Sequence, residues 1–372
     1  MNINREKISI CEKSDLIIVE EEYPDHSFFY INLDVQPDGN ICKATKYLSS
    51  YLKDNYLEVL IGFAFGFGTG PGANIINAPF NRLGTMIFLH HNVSSGYQIQ
   101  LICANDRAVK SLNAPEHTTV KVFDHYGSEL YYISNIRASK SDNYYMEAFS
   151  SFESLGKILK DNNVSYNNLV RTWLYINNIL DWYDILNKGR NDFFTEENIF
   201  EGIIPSSTGI GLSNIYKKNL SLSAFAINPK DEKEMVRMVD SPMQCDAINY
   251  KSSFSRAVEI SFQTSKRLVI SGTASIGSTG ETLYKENVVK QIEHTMGVVK
   301  SILISEHYKW DDIVRAIAYF PDPGHVKHLT DYCLSKEIDP SYFLSVGGTV
   351  CRDDLMFEIE LDAVRPLIDQ DS

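Results

Sequence analysis

The sequence has no long apolar run and few cysteines. No stretch approaches the roughly 18 uninterrupted apolar residues of a membrane-spanning helix. The charged first residues lack the apolar segment of a secretion signal, so we expect a cytoplasmic protein. The six cysteines are scattered, without a CxxC pair or a close cysteine–histidine grouping. This spacing disfavours a disulfide framework or a zinc site and favours free thiols.

Positive charge is also scarce. The 372 residues include 35 lysines and arginines against 48 aspartates and glutamates, a formal net charge of −13. This balance argues against a general nucleic-acid or anionic-membrane binder, because phosphate groups would be repelled. An anionic small molecule would bind only where arginines reverse the local field. Hydrophobic residues make up 44% of the chain, which fits a soluble globular protein, and its length favours two domains or one large one.

An internal repeat is the strongest organisational signal. Residues 148–175 match residues 292–319 without a gap, so that Val170 and Arg171 fall on Val314 and Arg315. Apolar residues in both copies recur at the spacing of a helix with one buried face. Each copy therefore predicts a helix, a short turn and a strand, followed by a second helix at about 181–194 or 324–335.

Strand-like stretches precede each repeated helix, so we predict one sheet per half with two helices packed on one face, an α+β fold. The charged stretch 229–238 is the predicted linker, which divides the chain into domains 1–235 and 236–372. The first domain is longer because its initial 80 residues or so show no counterpart in the second.

Two carboxylates near the end of the chain are the main candidates for catalysis. Residues 341–364 predict a hairpin whose polar turn is CRDD. Glu358 and Glu360 lie two apart in its second strand and share a face. A buried carboxyl group kept neutral near pH 7 can act as a general acid, although a solvated edge strand would explain the same pattern. Cys351 joins this face only if the hairpin loop is even, and by itself it is more often a small buried hydrophobe.

Other polar motifs have weaker support. The glycine-rich stretch 62–72 departs from both the dinucleotide fingerprint and the P-loop, which favours a simple turn. Two histidine pairs, at 90–91 and at 325 and 328, lack a third metal ligand at a suitable spacing. SSTGIGL at 206–212 offers hydroxyl and backbone N–H donors. Arg171 and Arg256 could bind an acidic ligand, with surface ion pairs as the alternative.

At these residues the chain resembles the chorismatases, which look like two fused Rid/YjgF-type domains of the chorismate mutase-like fold and cleave chorismate. The matching stretches are VRTWLYINNILDWYDILNKGRNDFF, PSSTGIG, SPMQCDAINYKSSFSRAVE, VISGTASI and CRDDLMFEIE, spread over about residues 165–364. Single-domain Rid/YjgF proteins are similar at FSRA, SGT and FEIE. Their deaminases carry a carboxylate-binding arginine where this chain has Tyr342 and Ser207, which disfavours imine deamination.

The resemblance implies that Glu358 is the catalytic acid and that chorismate is the substrate, with no metal or organic cofactor. It also implies a site between the domains, since pockets often lie at such interfaces. The residues that we expect to bind the substrate are Cys351, Arg256, Arg171, Thr208, Gly209, Gly211, Ala274 and Tyr342.

A cysteine at 351 resembles the members that form 3-hydroxybenzoate, with or without 4-hydroxybenzoate. Three alternatives stay open: hydrolysis to a dihydroxycyclohexadiene carboxylate and pyruvate, a Rid-like imine or enamine deaminase, and a binding protein for aromatic metabolites. The resemblance is compatible with a monomer or a small homo-oligomer, because fusion of two units could make the trimer interface internal.

Overall fold

The strands in the described part of the chain form three mixed sheets. The computed structural model describes residues 1–67, 85–91, 96–105, 109–115, 117–230, 235–250 and 252–367. The first sheet contains β1 (Asn2–Cys11), β2 (Ser14–Glu22), β3 (Ser27–Val35), β4 (Leu57–Phe65), β5 (Met86–His90) and β6 (Tyr97–Asn105). The second contains β7 (Val109–Leu112), β8 (Thr119–His125), β9 (Ser128–Ile136), β10 (Leu169–Ile176), β11 (Ser206–Ile210) and β13 (Leu220–Asn228), whereas β12 (Ser213–Asn214) pairs with β5. The third contains β14 (Val236–Val239), β15 (Ala257–Ser261), β16 (Ser265–Ala274), β17 (Ile313–Phe320), β18 (Leu344–Gly347) and β19 (Glu358–Pro366).

The three sheets share one topology. If the six main strands of each are numbered along the chain, they lie side by side in the order first, second, third, sixth, fourth, fifth. The fourth and fifth strands pair in parallel in every sheet. We call these units module 1 (residues 1–105), module 2 (109–228) and module 3 (236–367).

The helices lie between equivalent strands of the modules. Their bounds are α1 Ile41–Asp54, α2 Tyr144–Asp161, α3 Ile179–Glu196, α4 Val288–Ser305 and α5 Val326–Ser335. Between the third and fourth strands, α1, α2 and α4 each begin after an asparagine whose side chain accepts a hydrogen bond from a backbone N–H of the first turn. Among the described helices, none has both the length and the apolar character needed to cross a membrane.

The modules pack through one continuous core. Each sheet buries one face against its own helices, which gives three separate apolar clusters. The opposite faces meet in a shared cluster that includes Phe63 of module 1, Trp173 of module 2 and Tyr319 of module 3. Removing so much apolar surface from water is the main stabilising term for this arrangement.

The repeat and the α+β class are confirmed. Helices α2 and α4 begin 144 residues apart, at Tyr144 and Val288, and strands β10 and β17 are offset equally. The second helices, α3 and α5, also lie where the sequence predicts them, within two residues at each end.

The expectation that the first 80 residues have no counterpart is wrong, because module 1 repeats the same topology. Its α1 has 14 residues instead of 18, and β4 begins three residues after it ends. In modules 2 and 3 the corresponding connections are longer, so a gap-free overlay cannot align module 1. The division into domains at residue 235 stays a prediction, since the shared core joins all three sheets.

The predicted hairpin over 341–364 is also wrong. Strands β18 and β19 do not pair with each other: β17 lies between them, parallel to β18 and antiparallel to β19. The polar turn is therefore a connection between non-adjacent strands. Thr349, just after β18, instead exchanges backbone hydrogen bonds with Gly211 of module 2.

Candidate active site

A cavity of about 540 Å³ lies between modules 2 and 3. Module 2 contributes one face of α3 and the residues Ser207 and Gly209 of β11. Module 3 contributes the segment before β15, the end of β16, and the stretch from Cys351 to Glu358. The lining residues include Tyr183, Asn187, Lys188, Arg256, Ala274, Cys351, Arg352 and Glu358.

Glu358 is the buried acid of this cavity. It is the first residue of β19, a central strand, and its side chain lines the cavity while the residue is only 4% exposed. Among the described residues, no donor forms a hydrogen bond or ion pair with its carboxyl group. Burial, together with the negative charge of Glu360, raises the pKa of Glu358 to about 8. The carboxyl group therefore keeps its proton at neutral pH.

Glu360 is fully buried but has the opposite character. It accepts hydrogen bonds from Arg315 Nη2 at 2.6 Å, Trp173 Nε1 at 3.1 Å and Thr208 Oγ1 at 2.5 Å. Arg171 Nη1 lies 3.5 Å from its Oε2. Burial favours the neutral form, but the charges of Arg315 and Arg171, with the hydrogen bonds, outweigh it and hold the pKa of Glu360 below its usual value.

The two glutamates thus divide into a neutral acid and a fixed anion. Both side chains belong to one strand and point to one face, yet the donors of Arg315, Trp173 and Thr208 are directed at Glu360. Pairs of carboxyl groups whose surroundings separate their pKa values are typical of acid–base sites. The expectation of a buried acidic pair is confirmed, and the alternative of a solvated edge strand is excluded, because β19 lies in the middle of its sheet.

Gly272 of β16 makes room for the Glu358 carboxyl. A Cβ at this position would overlap Glu358 Oε1, so any side chain here would displace the acid. The backbone N–H of Gly272 donates to Thr208 Oγ1 at 3.1 Å, which fixes the strand beneath the carboxyl group.

The equivalent strand positions of the other two modules carry no carboxyl group. Glu358 lies opposite Tyr319, whereas Ser221 lies opposite Tyr175 in module 2 and Gln98 opposite Phe65 in module 1. Where module 3 has Gly272, module 2 has Asn135, whose side-chain amide donates to Met86 O of module 1 at 3.0 Å.

In module 1, the Gln98 amide donates to Asp34 of its own sheet, again at 3.0 Å. Of the two equivalents of Glu358, Ser221 is small and Gln98 forms a hydrogen bond within its own sheet. At this strand position, module 3 alone among the three modules carries a carboxyl group.

Four of the residues predicted to bind the substrate line the same cavity as Glu358: Arg256, Cys351, Gly209 and Ala274. Arg256 also donates from Nε and Nη2 to the carbonyl oxygen of Cys245, at 2.9 and 2.6 Å. Burial, reinforced by the charge of Glu358, raises the pKa of the Cys351 thiol to about 12, so the thiol is neutral.

The other four predicted residues do not line this cavity. Arg171 and Thr208 lie behind it and bind Glu360; Arg171 also pairs with Asp362 at 2.9 Å. Gly211 lies at the bridge to Thr349, in a separate small cleft. The Tyr342 hydroxyl donates to Asp311 at 3.0 Å, and its ring lies under Arg5 of module 1.

Sequence reasoning missed the polar face of α3 and the arginine at 352. Asp184, Lys188 and Asp192 recur every four residues and line the cavity. This spacing places them on one face of a helix, and it could have identified the wall. Arg352 lies in the quoted CRDD turn, but its position at the cavity depends on the connection between non-adjacent strands, which the sequence pattern did not reveal.

Within the described part of the chain, no group of three histidine, cysteine, aspartate or glutamate side chains is arranged to hold a metal ion. The glycine-rich stretch singled out in the sequence runs into residues 68–72, which lie outside the described ranges.

The fold matches that of a known enzyme. A crystal structure of a chorismatase superposes on this chain with a TM-score of 0.64 and 17% sequence identity. The superposition covers 82% of this chain and 93% of the chorismatase chain. The YjgF gene product of E. coli matches 35% of this chain over 98% of its own length, with 20% identity and a TM-score of 0.28. No protein-family model matches the sequence, and no curated protein matches it significantly. The chain thus has the fold of the chorismatase, and the expected resemblance is confirmed at that level.

Proposed function

We propose that this protein cleaves the enolpyruvyl ether of chorismate and releases pyruvate. The observation that carries the proposal is Glu358, a neutral carboxylic acid at the wall of a cavity of about 540 Å³. A vinyl ether is stable at neutral pH unless its terminal carbon is protonated, and a buried acid is the group that this step requires. The chorismatase fold and the CRDDLMFEIE stretch support the same substrate.

The reaction begins with proton transfer to carbon. The Glu358 proton moves to the methylene carbon, which becomes a methyl group, and the ether carbon becomes an oxocarbenium ion. Glu358 is left as a carboxylate, and its charge, with that of Glu360, stabilises the cation. The bond between the ether oxygen and the ring carbon then breaks, so that this oxygen leaves as the ketone oxygen of pyruvate. The neighbouring ring hydroxyl bonds to the vacated carbon and gives up its proton to Glu358, and the ring isomerises to the hydroxybenzoate. In the hydrolytic alternative, water adds to the oxocarbenium carbon and gives up a proton to Glu358, and the resulting hemiketal collapses to pyruvate and the dihydroxycyclohexadiene carboxylate.

The substrate carries two carboxylates, so the cavity must supply cations in a chain of net charge −13. Arg256, Arg352 and Lys188 place three cationic side chains along its wall. We assign Arg256 to one carboxylate, in keeping with the sequence, and Arg352 to the other in place of Arg171, whose guanidinium is bound to Glu360 and Asp362.

We further propose 3-hydroxybenzoate as the aromatic product, with or without 4-hydroxybenzoate. Support comes from the small, neutral Cys351 and from Ala274, which line the cavity with the acid. Hydroxybenzoate and pyruvate together contain the atoms of chorismate, so this outcome consumes no net water. Hydrolysis to the dihydroxycyclohexadiene carboxylate adds one water molecule. We place the reaction in the cytoplasm and expect no nucleic-acid or membrane partner.

Incubation with chorismate tests the proposal. Wild type is expected to release pyruvate and an aromatic acid, both measured by chromatography. Glu358→Gln keeps the shape of the side chain but cannot donate a useful proton, so it should bind chorismate and lose turnover. Glu281→Gln, an exposed glutamate of module 3 outside the cavity lining, is the matched control.

Each failure has a distinct meaning. Full turnover in Glu358→Gln would remove this residue from the mechanism. Chorismate binding without turnover in the wild type would favour a binding protein. Ammonia release from an imine substrate would favour a deaminase. It would contradict the expectation drawn from Ser207, which stands in the cavity where the related deaminases carry a carboxylate-binding arginine.

A further inference from the structure

Thr208 is a buried hydroxyl group of module 2 that contacts both parts of the acid site in module 3. Its Oγ1 donates to Glu360 Oε2 at 2.5 Å and accepts from the backbone N–H of Gly272 at 3.1 Å. Gly272 is the residue against which the Glu358 carboxyl lies. Thr208 itself is 2% exposed and does not line the cavity.

The geometry fixes the direction of these hydrogen bonds. A threonine hydroxyl has a single proton to donate. Because the amide of Gly272 can only donate, Oγ1 must accept there, and its own proton is directed to Glu360. Glu360 also faces the donors of Trp173, Arg315 and Arg171. A carboxyl group surrounded by donors alone is an acceptor and therefore ionised.

We infer that Thr208 is a positioning residue for the proposed reaction: from the neighbouring module it holds the Glu360 charge and the Gly272 backbone beneath the proton donor Glu358. The inference rests on the proposed function and deepens it. Thr208 acts through the two glutamates and the glycine and does not contact the substrate.

Removal of this hydroxyl should make Glu358 a weaker acid. Glu360 stays ionised because its arginines remain, but one fewer hydrogen-bond donor compensates its negative charge. The electrostatic potential at Glu358 therefore becomes more negative, and Glu358 holds its proton more tightly. The alkaline limit of activity should therefore move to higher pH, while the rate on the low-pH plateau falls, since a weaker acid transfers its proton to carbon more slowly.

The charged and titratable groups that face this pair come from every neighbouring element. The groups near Glu360 are Arg171 and Tyr175 of β10, Arg315 and Tyr319 of β17, and Asp362 of β19. Around the cavity lie Asp184, Lys188 and Asp192 of α3, together with Arg256, Cys351 and Arg352. None of these groups changes in the variants below.

The test compares Thr208→Val, which removes the hydroxyl at nearly constant shape, with Thr208→Ser, which keeps it. Thr172→Val is the matched control, because Thr172 is equally buried in the adjacent strand and donates to Ser207 instead of a carboxylate. The first measurement is kcat/KM for chorismate against pH. The second is the infrared band of the protonated Glu358 carboxyl, assigned by its loss in Glu358→Gln and followed against pH without substrate.

We expect the midpoint of both curves to rise by roughly half a pH unit or more in Thr208→Val, and to stay at the wild-type value in Thr208→Ser and Thr172→Val. An unchanged or lowered midpoint in Thr208→Val overturns the inference, as does an equal shift in Thr172→Val. If the wild type does not turn over chorismate, the proposed function fails, but the infrared midpoint still tests the role of Thr208. If Thr208→Val does not fold, a normal midpoint with Thr208→Ala overturns the inference, and a raised one supports it.

Discussion

At the scale of single residues, the site shows how surroundings separate two identical side chains. Glu358 and Glu360 alternate along one strand and are both buried. Donors converge on Glu360 and leave Glu358 to the cavity, so one is an anion and the other an acid. The sequence could predict that the two carboxyl groups share a face, but it left open whether they are buried or lie on a solvated edge strand. It could not predict which carboxyl the arginines would neutralise, because Arg171 and Arg315 reach Glu360 from strands of different modules.

The raised pKa of Glu358 sets the pH dependence of turnover. The acid works only while protonated, so kcat/KM should be constant below pH 7 and fall above about 8, the value to which burial and Glu360 raise its pKa. A pH–rate profile checks this, with circular dichroism at each pH to exclude unfolding. A rate that increases through this range would contradict the assignment of Glu358 as an acid.

The same pKa shift affects stability. The pKa in the folded protein lies above the ordinary 4.5, so between pH 4.5 and about 8 the unfolded chain releases a proton that the folded chain keeps. This group therefore lowers the stability of the fold as pH rises through that window. Glu358→Gln should consequently gain stability relative to wild type from pH 5 to pH 8.

Gly272 offers a second test at this scale. In Gly272→Ala the added methyl group occupies the space of the Glu358 carboxyl, and a displacement of about 1 Å typically costs roughly 100-fold in rate. The control is Gly297→Ala in α4, where a Cβ meets no atom within 4 Å. It should keep full activity and stabilise the helix by about 0.5–1 kcal/mol. Undiminished turnover in Gly272→Ala would show that the carboxyl position is not critical.

At the scale of elements, the connection between β18 and β19 is the part that local patterns could not place. Two extended runs around a polar turn predict a hairpin, but β17 separates them. The helix–turn–strand repeat was predictable, because periodic apolar residues specify a helix wherever it packs. Strand neighbours depend on long-range pairing, which a one-dimensional pattern does not encode.

This connection carries Cys351 to the cavity, which leads to a prediction about the product. Cys351→Ala enlarges the space beside the ring of the substrate and should change the ratio of hydroxybenzoate to dihydroxycyclohexadiene carboxylate more than the rate of pyruvate release. Chromatography of the products measures both. Cys245→Ala, in module 3 but not among the cavity-lining residues, serves as the control. An unchanged ratio in Cys351→Ala would exclude this role.

At the scale of the whole molecule, three modules of one topology enclose a common core. Residues from distant parts of the chain complete that core, and a buried ion pair joins Arg267 of module 3 to Glu21 of module 1 at 2.8 Å. The Tyr30 hydroxyl also donates to Glu21 at 2.9 Å. The sequence did not predict module 1, because its shorter helix and turn break the alignment with the other two although its topology is the same.

The Glu21–Arg267 pair leads to a prediction about the stability of the fold. Arg267→Met leaves Glu21 as an uncompensated buried charge, which should lower the free energy of unfolding by about 3–5 kcal/mol. Lys7→Met removes an exposed pair with Asp15 and should cost at most about 1 kcal/mol. Urea unfolding measures both. The double variant Glu21→Leu with Arg267→Met should recover much of the loss, and a single variant as stable as wild type would contradict this account.

The contrast between Gly272 and Asn135 has a consequence for how such a protein can diversify. In a ring of identical subunits, any substitution appears in every copy, so opening one cleft opens them all. A single continuous chain escapes that constraint. In this chain the junction of modules 2 and 3 can acquire a cavity for chemistry, while the amide of Asn135 still bonds to Met86 at the junction of modules 2 and 1. Specialisation of one interface therefore need not weaken the others.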